Sequence, residues 1–288
     1  MQSNNIGVSI IVPCHNSARF IDRTLAALIS EINQHDDVEL LLIDNNSTDN
    51  TLALLKNYQS PTIRVLEATN GQGVNVARNF GAKVAQGSVL LFTDHDDAVC
   101  PGWLQSFRTA FKQGAEIVSG PYSEYTGAGV LIREMNTPEL HLWDIPYGLG
   151  SNSGITKAGF NTIGGFDENW RGGGDDADFF WRAHFAGLDL TFVPGARIVH
   201  YMRDDEKATF TQYRGYGRAA VRLYAKFKDR GMPRSSTLRA LAAWPLAVAE
   251  FAASFLIPNP VDRRRAASRL GVRVGRLTES LRQKTLYL

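Results

Sequence analysis

The chain has 288 residues, of which 44% are hydrophobic, 21% charged and 10% aromatic. This profile excludes wholesale disorder, a collagen-like chain and a disulfide scaffold, and the length suits one large domain or one domain with an appendage. The net charge of +2 hides an asymmetry: residues 1–201 carry 13 Lys+Arg against 22 Asp+Glu, or −9, whereas residues 202–288 carry 18 against 7, or +11. Such a split suggests an acidic folded body and a basic tail that meets something anionic. The two cysteines, Cys14 and Cys100, read as buried thiols in a reducing compartment. The opening MQSNNIGVSIIVP lacks a basic region followed by an apolar one, so no secretory signal is expected.

The first hundred residues alternate between two periods. Residues 8–12 (VSIIV) form a short β-branched run, as in a strand covered on both faces. Residues 17–32 carry Phe20, Ile21, Leu25, Leu28, Ile29 and Ile32 at helical spacing. Residues 38–43 (VELLLI) predict a second strand. Ser47 or Thr48 is placed to cap a helix reaching about Tyr58, with Asp49 at its positive end. A third strand over 62–66, a helix over 75–84 and a fourth strand over 88–92 follow. Residues 101–111 predict a helix with Pro101 in its first turn, and 117–118 a fifth strand. Residues 120–170 are rich in Gly and aromatics and show no regular pattern. Residues 176–187 predict a helix, 190–193 and 197–200 short strands, and the chain from about Lys207 is helical.

Strands alternating with helices indicate βαβ units and a mostly parallel sheet. Ligands of such sheets sit beyond the carboxyl ends of the strands. Three of those ends are polar: Pro13-Cys14-His15-Asn16, Asp44-Asn45-Asn46-Ser47-Thr48-Asp49 and Thr93-Asp94-His95-Asp96-Asp97. Three on one edge favour a site over ordinary loops. Asp94, Asp96 and Asp97 repel one another unless a cation is present, and hard oxygens there suit Mg²⁺ or Mn²⁺ on a diphosphate; a solvated acidic turn is the plainer reading. Asp44 either accepts from a ribose hydroxyl or base N–H, or closes its own turn through Ser47 and Thr48. No G-x-G-x-x-G follows the first strand and no G-x-x-x-x-G-K-[ST] occurs, which disfavours a Rossmann dehydrogenase and excludes a P-loop NTPase. Arg78 either reaches a nucleotide or lies on the surface.

Gly172-Gly173-Gly174 precede Asp175-Asp176-Ala177-Asp178, and glycines there free the backbone for close approach of a substrate. At helical spacing Asp176 shares a face with Phe179, Phe180 and Ala183, whereas Asp178 and Arg182 form an i,i+4 pair. Asp176 is thus a candidate general base with a pKa raised by partial burial, although acidic residues at a helix start also suit the macrodipole. A lone histidine such as His200 is more often structural than a ligand. Trp143, Tyr147, Trp170 and Trp181 can stack on sugar rings, but are also ordinary core residues.

The segments VSIIVPCHNSARFIDRTLAAL, LLIDNNSTDNT, ARNFGAKVAQGSVLLFTDHDD and IGGFDENWRGGGDDADFFWRAHFAG, in this order over about residues 6–202, resemble the family 2 glycosyltransferases of the GT-A fold. The resemblance implies a GT-A catalytic domain over 1–202, with a nucleotide-binding half to about 120 and an acceptor-binding half over about 121–202. A basic helical extension covers 203–288. It implies inverting transfer of a sugar from a nucleoside-diphosphate donor, a UDP-sugar first, to a sugar, lipid-linked or small-molecule acceptor. Pro13, Asn16, Asp44, Arg78 and Asp94 would line the nucleotide pocket. Asp94, Asp96 and His200 would hold Mn²⁺ or Mg²⁺. Asp176 would be the base, with Asp97, Trp143, Asn152, Trp170 and Asp175 towards the sugar or acceptor. The family's Glu-Asp pair stands here as Asp175-Asp176, a shorter first arm. The alternatives are a nucleotidyltransferase, which usually has a glycine-rich loop after the first strand, and a non-catalytic carbohydrate- or lipid-binding protein.

Beyond the resemblance, residues 212–228 mix aromatic and basic side chains. An apolar segment over 238–257 is broken by Arg239, Pro245 and Glu250, and a basic amphipathic stretch runs from Arg263-Arg264-Arg265 to Arg282. An interfacial helix flanked by such residues binds anionic lipid headgroups; helices packed on the body with a solvated basic face are the alternative. No nucleic-acid-binding motif accompanies the charge. The expected location is the cytoplasm, free or peripheral on the inner face of the plasma membrane.

Overall fold

The computed structural model describes residues 7–33, 35–126, 129–140, 142–201, 206–254 and 260–288. The apolar segment expected to reach residue 257 ends beyond the described residues. Two compact units emerge: Met1–Leu140, Ile145–Asn169 and Asp175–Met202 form one, and His141–Asp144, Trp170–Gly174 and Arg203–Leu288 the other.

In the first unit the order is β1 (Val8–Cys14), α1 (Ile21–Ile32), β2 (Val38–Asp44), α2 (Thr51–Lys56), β3 (Ile63–Glu67), α3 (Val74–Val84), β4 (Val89–Thr93), β5 (Ala98–Val99), α4 (Trp103–Lys112) and β6 (Ile117–Ser119). Then come β7 (Tyr122–Tyr125), β8 (Leu131–Met135), β9 (Asn152–Thr156), α5 (Lys157–Ile163), α6 (Asp175–Phe185), β10 (Leu190–Phe192) and β11 (Ile198–Tyr201). A seven-stranded sheet has the order β10-β6-β9-β4-β1-β2-β3. All its pairs are parallel except those of β9 with β4 and β6. Every residue of β1 and β2 is buried, which is why their sequences read as unbroken apolar runs. The chain runs outward from β1 through β2 to β3, then returns to β4 on the other side of β1. That reversal opens a crevice at the carboxyl ends of β1 and β4, where α/β sheets bind ligands. A second sheet, β5-β11-β7-β8, begins directly after the acidic turn at residues 94–97.

The other unit contains α7 (Glu206–Phe227), a 3₁₀ turn at Lys228–Arg230, α8 (Thr237–Ser254) and α9 (Pro260–Gln283). The α7 and α9 backbones touch where glycines leave room: Gly217 lies against the Val272 carbonyl and Gly275 against that of Arg214.

Four local expectations are corrected. α1 starts at Ile21, because residues 17–20 form a turn closed by the Ser17 carbonyl. α2 starts at Thr51 rather than at Ser47 or Thr48, which bind the loop after β1 instead, while Asp49 accepts from the Thr51 N–H at 2.9 Å at the helix start. Pro101 lies outside α4, which follows Gly102 in the left-handed region at φ 85°. Residues 120–170 are not irregular: they hold β7, β8, β9 and α5, and β9 is buried between β4 and β6. Of the two cysteines, Cys14 is buried but Cys100 is only half-buried.

Candidate active site

The loops after β1 and β2 are sewn together by short polar side chains. Asn16, at φ 50°, accepts through Oδ1 from the Thr48 N–H at 2.8 Å and the Asp49 N–H at 3.3 Å. Its own N–H donates to Ser47 Oγ at 3.0 Å. Asn45 donates to the carbonyls of Ala68 and Gly71 at 2.7 and 2.9 Å and accepts from the Gly73 N–H at 2.7 Å, which ties in the loop after β3. Asn16 therefore spends its acceptor on the scaffold, and Asn45, which composition alone does not single out, organises the edge. Asp44 is 4% exposed; Oδ2 accepts from the Ser47 N–H at 3.3 Å, and the buried Oδ1 has no partner among the described residues. Asp44 therefore closes the turn with one oxygen and leaves the other without a partner among the described residues. The Pro13 carbonyl faces His95 Nδ1 at 3.1 Å.

Arg78 sits at the centre. It rises from α3, is 2% exposed, and points its guanidinium into the site rather than to solvent. Nη2 donates to Asp94 Oδ1 at 2.8 Å and Nη1 to Asp175 Oδ2 at 3.3 Å. Its charge centre lies 5.1 Å from the Phe166 ring. Asn79 holds that phenylalanine through a pair of bonds, Nδ2 to the Phe166 carbonyl at 2.8 Å and the Phe166 N–H to Oδ1 at 2.9 Å. One cation thus joins the turn after β4 to the start of α6, Arg78 lying 16 residues from Asp94 and 97 from Asp175 in sequence.

Asp176 stands beside this bridge, half-buried and reached by the Gly150 N–H. A Cβ at Gly150 would collide with Asp176 Oδ1 and stand 2.8 Å from Arg78 Nη1, so a side chain there would displace both groups. Burial, then the Asp175 charge, push the Asp176 carboxyl up to about 8, with Arg78 opposing. Asp175 is raised by burial as well, again against Arg78. Asp178 is fully buried and pairs with Arg182 at 2.8 Å, the expected i,i+4 contact. Gly172, Gly173 and Gly174 all have positive φ. A side chain at Gly173 would meet the Tyr216 ring, so at least that glycine makes room for α7.

The acidic turn keeps Asp94 and Asp96 half-buried and Asp97 buried. Asp97 faces His200 rather than a sugar: His200 Nδ1 lies 2.6 Å from Asp97 Oδ1. Burial raises the Asp97 carboxyl. Burial also works against the His200 imidazolium, but Asp97 overcomes it and lifts the ring's pKa. Asn152 is likewise withdrawn from the sugar. It is fully buried, accepts from Trp103 Nε1 at 2.8 Å, and donates to the Pro121 and Ala196 carbonyls at 2.9 Å each. Asp175 serves Arg78. Trp143 and Trp170 are buried in the other unit, where Trp143 packs on Phe227 with centroids 6.3 Å apart and the Lys226 ammonium lies 6.0 Å from the Trp170 ring.

A divalent cation finds matching donors but no cage. Among the described residues no three His, Cys, Asp or Glu side chains converge on one point. Asp94 and Asp96 offer hard oxygens on an open edge, Asp97 keeps a buried Oδ2 without a partner, and His200 has its Nδ1 oriented by a carboxylate. One or two carboxylates with substrate phosphates completing the shell is how Mg²⁺ and Mn²⁺ are commonly held. The residues fit such an ion.

The architecture and this carboxylate-lined edge define a GT-A type protein. The model of the family described as "Glycosyl transferase family 2" matches residues 9–166, more than half of the chain, and the chain belongs to that family. A second model, "N-terminal domain of galactosyltransferase", matches residues 135–204. Validoxylamine A glucosyltransferase of Streptomyces hygroscopicus subsp. jinggangensis is 26% identical over 229 residues, covering 64% of this chain and 53% of that protein. Poly(ribitol-phosphate) beta-glucosyltransferase of Bacillus spizizenii is 30% identical over 144 residues, covering 48% and 23%. The chain spans at most about half the length of these relatives. Among solved structures, a mannosyltransferase from Pyrobaculum calidifontis in complex with GDP-Man and Mn²⁺ superposes with TM-score 0.63 at 15% identity, covering 94% of this chain and 86% of that one. Residues 1–349 of S. aureus TarS give 0.56 at 19%, covering 98% and 93%. These two show the same fold.

Proposed function

We propose that the protein transfers a glycosyl group from a nucleoside-diphosphate sugar to an acceptor hydroxyl with inversion. The observation that carries this reading is Asp176: a half-buried carboxyl pushed up to about 8, next to Asp175, which Arg78 joins to the acidic edge at Asp94. A base poised near neutral pH is suited to take a hydroxyl proton as the oxygen attacks. Pro13 and the free Oδ1 of Asp44 would border the nucleoside, with Oδ1 accepting from a base or ribose donor, a uridine first. Asp94, Asp96 and His200 would hold Mn²⁺ or Mg²⁺, which supplies charge neutralisation for the leaving diphosphate. Arg78 stays charged because Asp94, Asp175 and Asp176 outweigh the effect of its burial. It keeps both clusters in place while Asp176 receives the proton at a carboxylate oxygen. Positioning plus one base accounts for the sparse set of groups. Asp176→Asn is expected to bind donor and Mn²⁺ as the natural protein does, while transfer falls about 10²–10⁴-fold. Near-normal turnover would remove Asp176 as the base.

The helical unit supports a membrane-peripheral reading. No helix among the described residues is long and apolar enough to cross a membrane. Yet α8 turns Pro245, Leu246, Val248, Ala249 and Ala252 to solvent, and Glu250, its exposed acid, pairs with Arg269 at 2.8 Å. An apolar helix face beside a net charge of +11 over residues 202–288 suits an anionic bilayer surface. Leu246→Glu with Val248→Glu is expected to abolish co-sedimentation with phosphatidylglycerol-containing vesicles. Equal binding to pure phosphatidylcholine vesicles, or binding unaffected by the pair, would overturn the docking.

A further inference from the structure

The backbone of the acidic turn is gripped from one side by two neighbouring residues of α1. The Asp94 carbonyl accepts from the Asp97 N–H at 3.4 Å, which closes the turn on itself. The next three carbonyls point outward and all are met by α1. Thr24 Oγ1 lies 2.8 Å from the His95 carbonyl and 2.7 Å from that of Asp97, sharing its proton between them. Arg23 donates through Nη2 to the Asp96 carbonyl at 3.0 Å. Thr24 is fully buried. Arg23 is exposed, but its guanidinium is not loose: it lies 3.5 Å from the centroid of the Tyr201 ring. Tyr201 follows His200 at the end of β11, and β11 pairs with β5, the strand that leaves the turn.

Every carbonyl of residues 94–97 is therefore accounted for, and three depend on side chains rather than on a ladder. This is more than packing requires. A surface turn satisfies its carbonyls with water, whereas here a buried hydroxyl and a stacked guanidinium do so, directly behind the half-buried carboxylates of Asp94 and Asp96. Arg23 also binds the turn to the strand end that carries His200, so the parts meant to surround one cation are held by one clasp.

The geometry points to Arg23 and Thr24 as positioning residues that fix the acidic turn, and through Tyr201 the His200 strand, for binding of a divalent cation with its diphosphate. The inference rests on the cation reading given above. Residues that orient metal-holding groups from behind change metal affinity typically 10–100-fold when removed. Thr24→Val keeps the shape and loses the hydroxyl, Thr24→Ser keeps the hydroxyl, and Arg23→Met keeps the stem and loses the charge.

Mn²⁺ binding to the full chain, with and without UDP, is measured by electron paramagnetic resonance of free Mn²⁺. Thermal melting is followed in parallel. Thr24→Val and Arg23→Met are expected to weaken Mn²⁺ binding about tenfold or more. KM for donor should rise more than kcat falls, and Thr24→Ser should restore both. Mn²⁺ affinity unchanged in Thr24→Val and Arg23→Met, with only a lower melting temperature, would overturn the positioning role and leave a structural one. Asp96→Asn separates the two levels: if it loses Mn²⁺ while the α1 variants do not, the clasp fails and the cation reading stands. If Asp96→Asn binds Mn²⁺ normally, the cation reading fails and takes the clasp with it.

Discussion

Asp94-His95-Asp96-Asp97 and Asp175-Asp176-Ala177-Asp178 each put three carboxylates into four residues, and in each two are half-buried and one is buried against a partner, yet the two are held differently. The first ends a strand: the Asp94 side chain is 31% exposed and pairs with Arg78, Asp97 is buried against His200, and the turn is steadied through its carbonyls. The second opens a helix and is drawn inward: Asp178 is sealed with Arg182, and Asp175 is 15% exposed against Arg78. On the proposed function, the part-exposed Asp94 and Asp96 would keep oxygens for a cation, whereas burial beside Asp175 raises the Asp176 carboxyl towards the range of a useful base. Like composition would, on that function, serve a cation-holding edge in one place and a proton acceptor in the other, with Arg78 paired to both clusters.

The contrast breaks most sharply in rates. Asp176→Asn should cost about 10²–10⁴-fold in kcat with donor KM little changed, whereas Asp96→Asn should abolish Mn²⁺-dependent donor binding. If both variants altered the same parameter, the division of labour would be wrong. Arg78→Met strands carboxylates on both sides. It should destabilise the fold by roughly 3 kcal/mol in urea titrations, the low end for breaking a buried pair because Asp94 is part-exposed.

Dependence on pH sharpens the comparison further. With the Asp176 carboxyl near 8, transfer at saturating donor should rise with pH to about 8 and then level, because only the carboxylate accepts a proton. A profile already flat from pH 6 upward would place the base elsewhere. The smallest effect is on stability. The folded pKa lies above that of an unfolded aspartate, so the contribution of the protonated form is complete below the unfolded value and is lost as pH rises through about 8. In chelator, Asp176→Asn should therefore melt higher than the natural protein at pH 9 and lose most of that advantage by pH 5. An equal gap at both pH values would show that the carboxyl carries no such penalty.

Much of the candidate edge is legible in the sequence because it is written locally. Asp44, Asp94, Asp96 and Asp176 are polar residues placed directly after apolar runs or at a helix start. Asn152 was misread for the opposite reason. Its segment NSGIT has little apolar content, and only a place between β4 and β6 makes it a strand and turns the amide into a bracket for Trp103. Ser47 and Thr48 look like caps in one dimension; in three, Asn16 lies beside them and takes their hydrogen bonds. Arg23 and Thr24 carried no signal, since an arginine and a threonine in an amphipathic helix are ordinary surface choices.

The sequence by itself determined the alternation of buried strands and helices, the three polar strand ends, the acidic helix start and the division of charge between two parts of the chain. Those properties follow from hydrophobic period and residue chemistry over short windows. The tertiary structure alone decided that Arg78 faces inward to two carboxylates, that Asp97 serves His200 across 103 residues, and that α1 holds the acidic turn from 71 to 73 residues away. Such partners are set by which strands lie side by side after the crossover from β3 to β4. No local pattern encodes that distance, because the pairing energy is realised only once the intervening helices are packed.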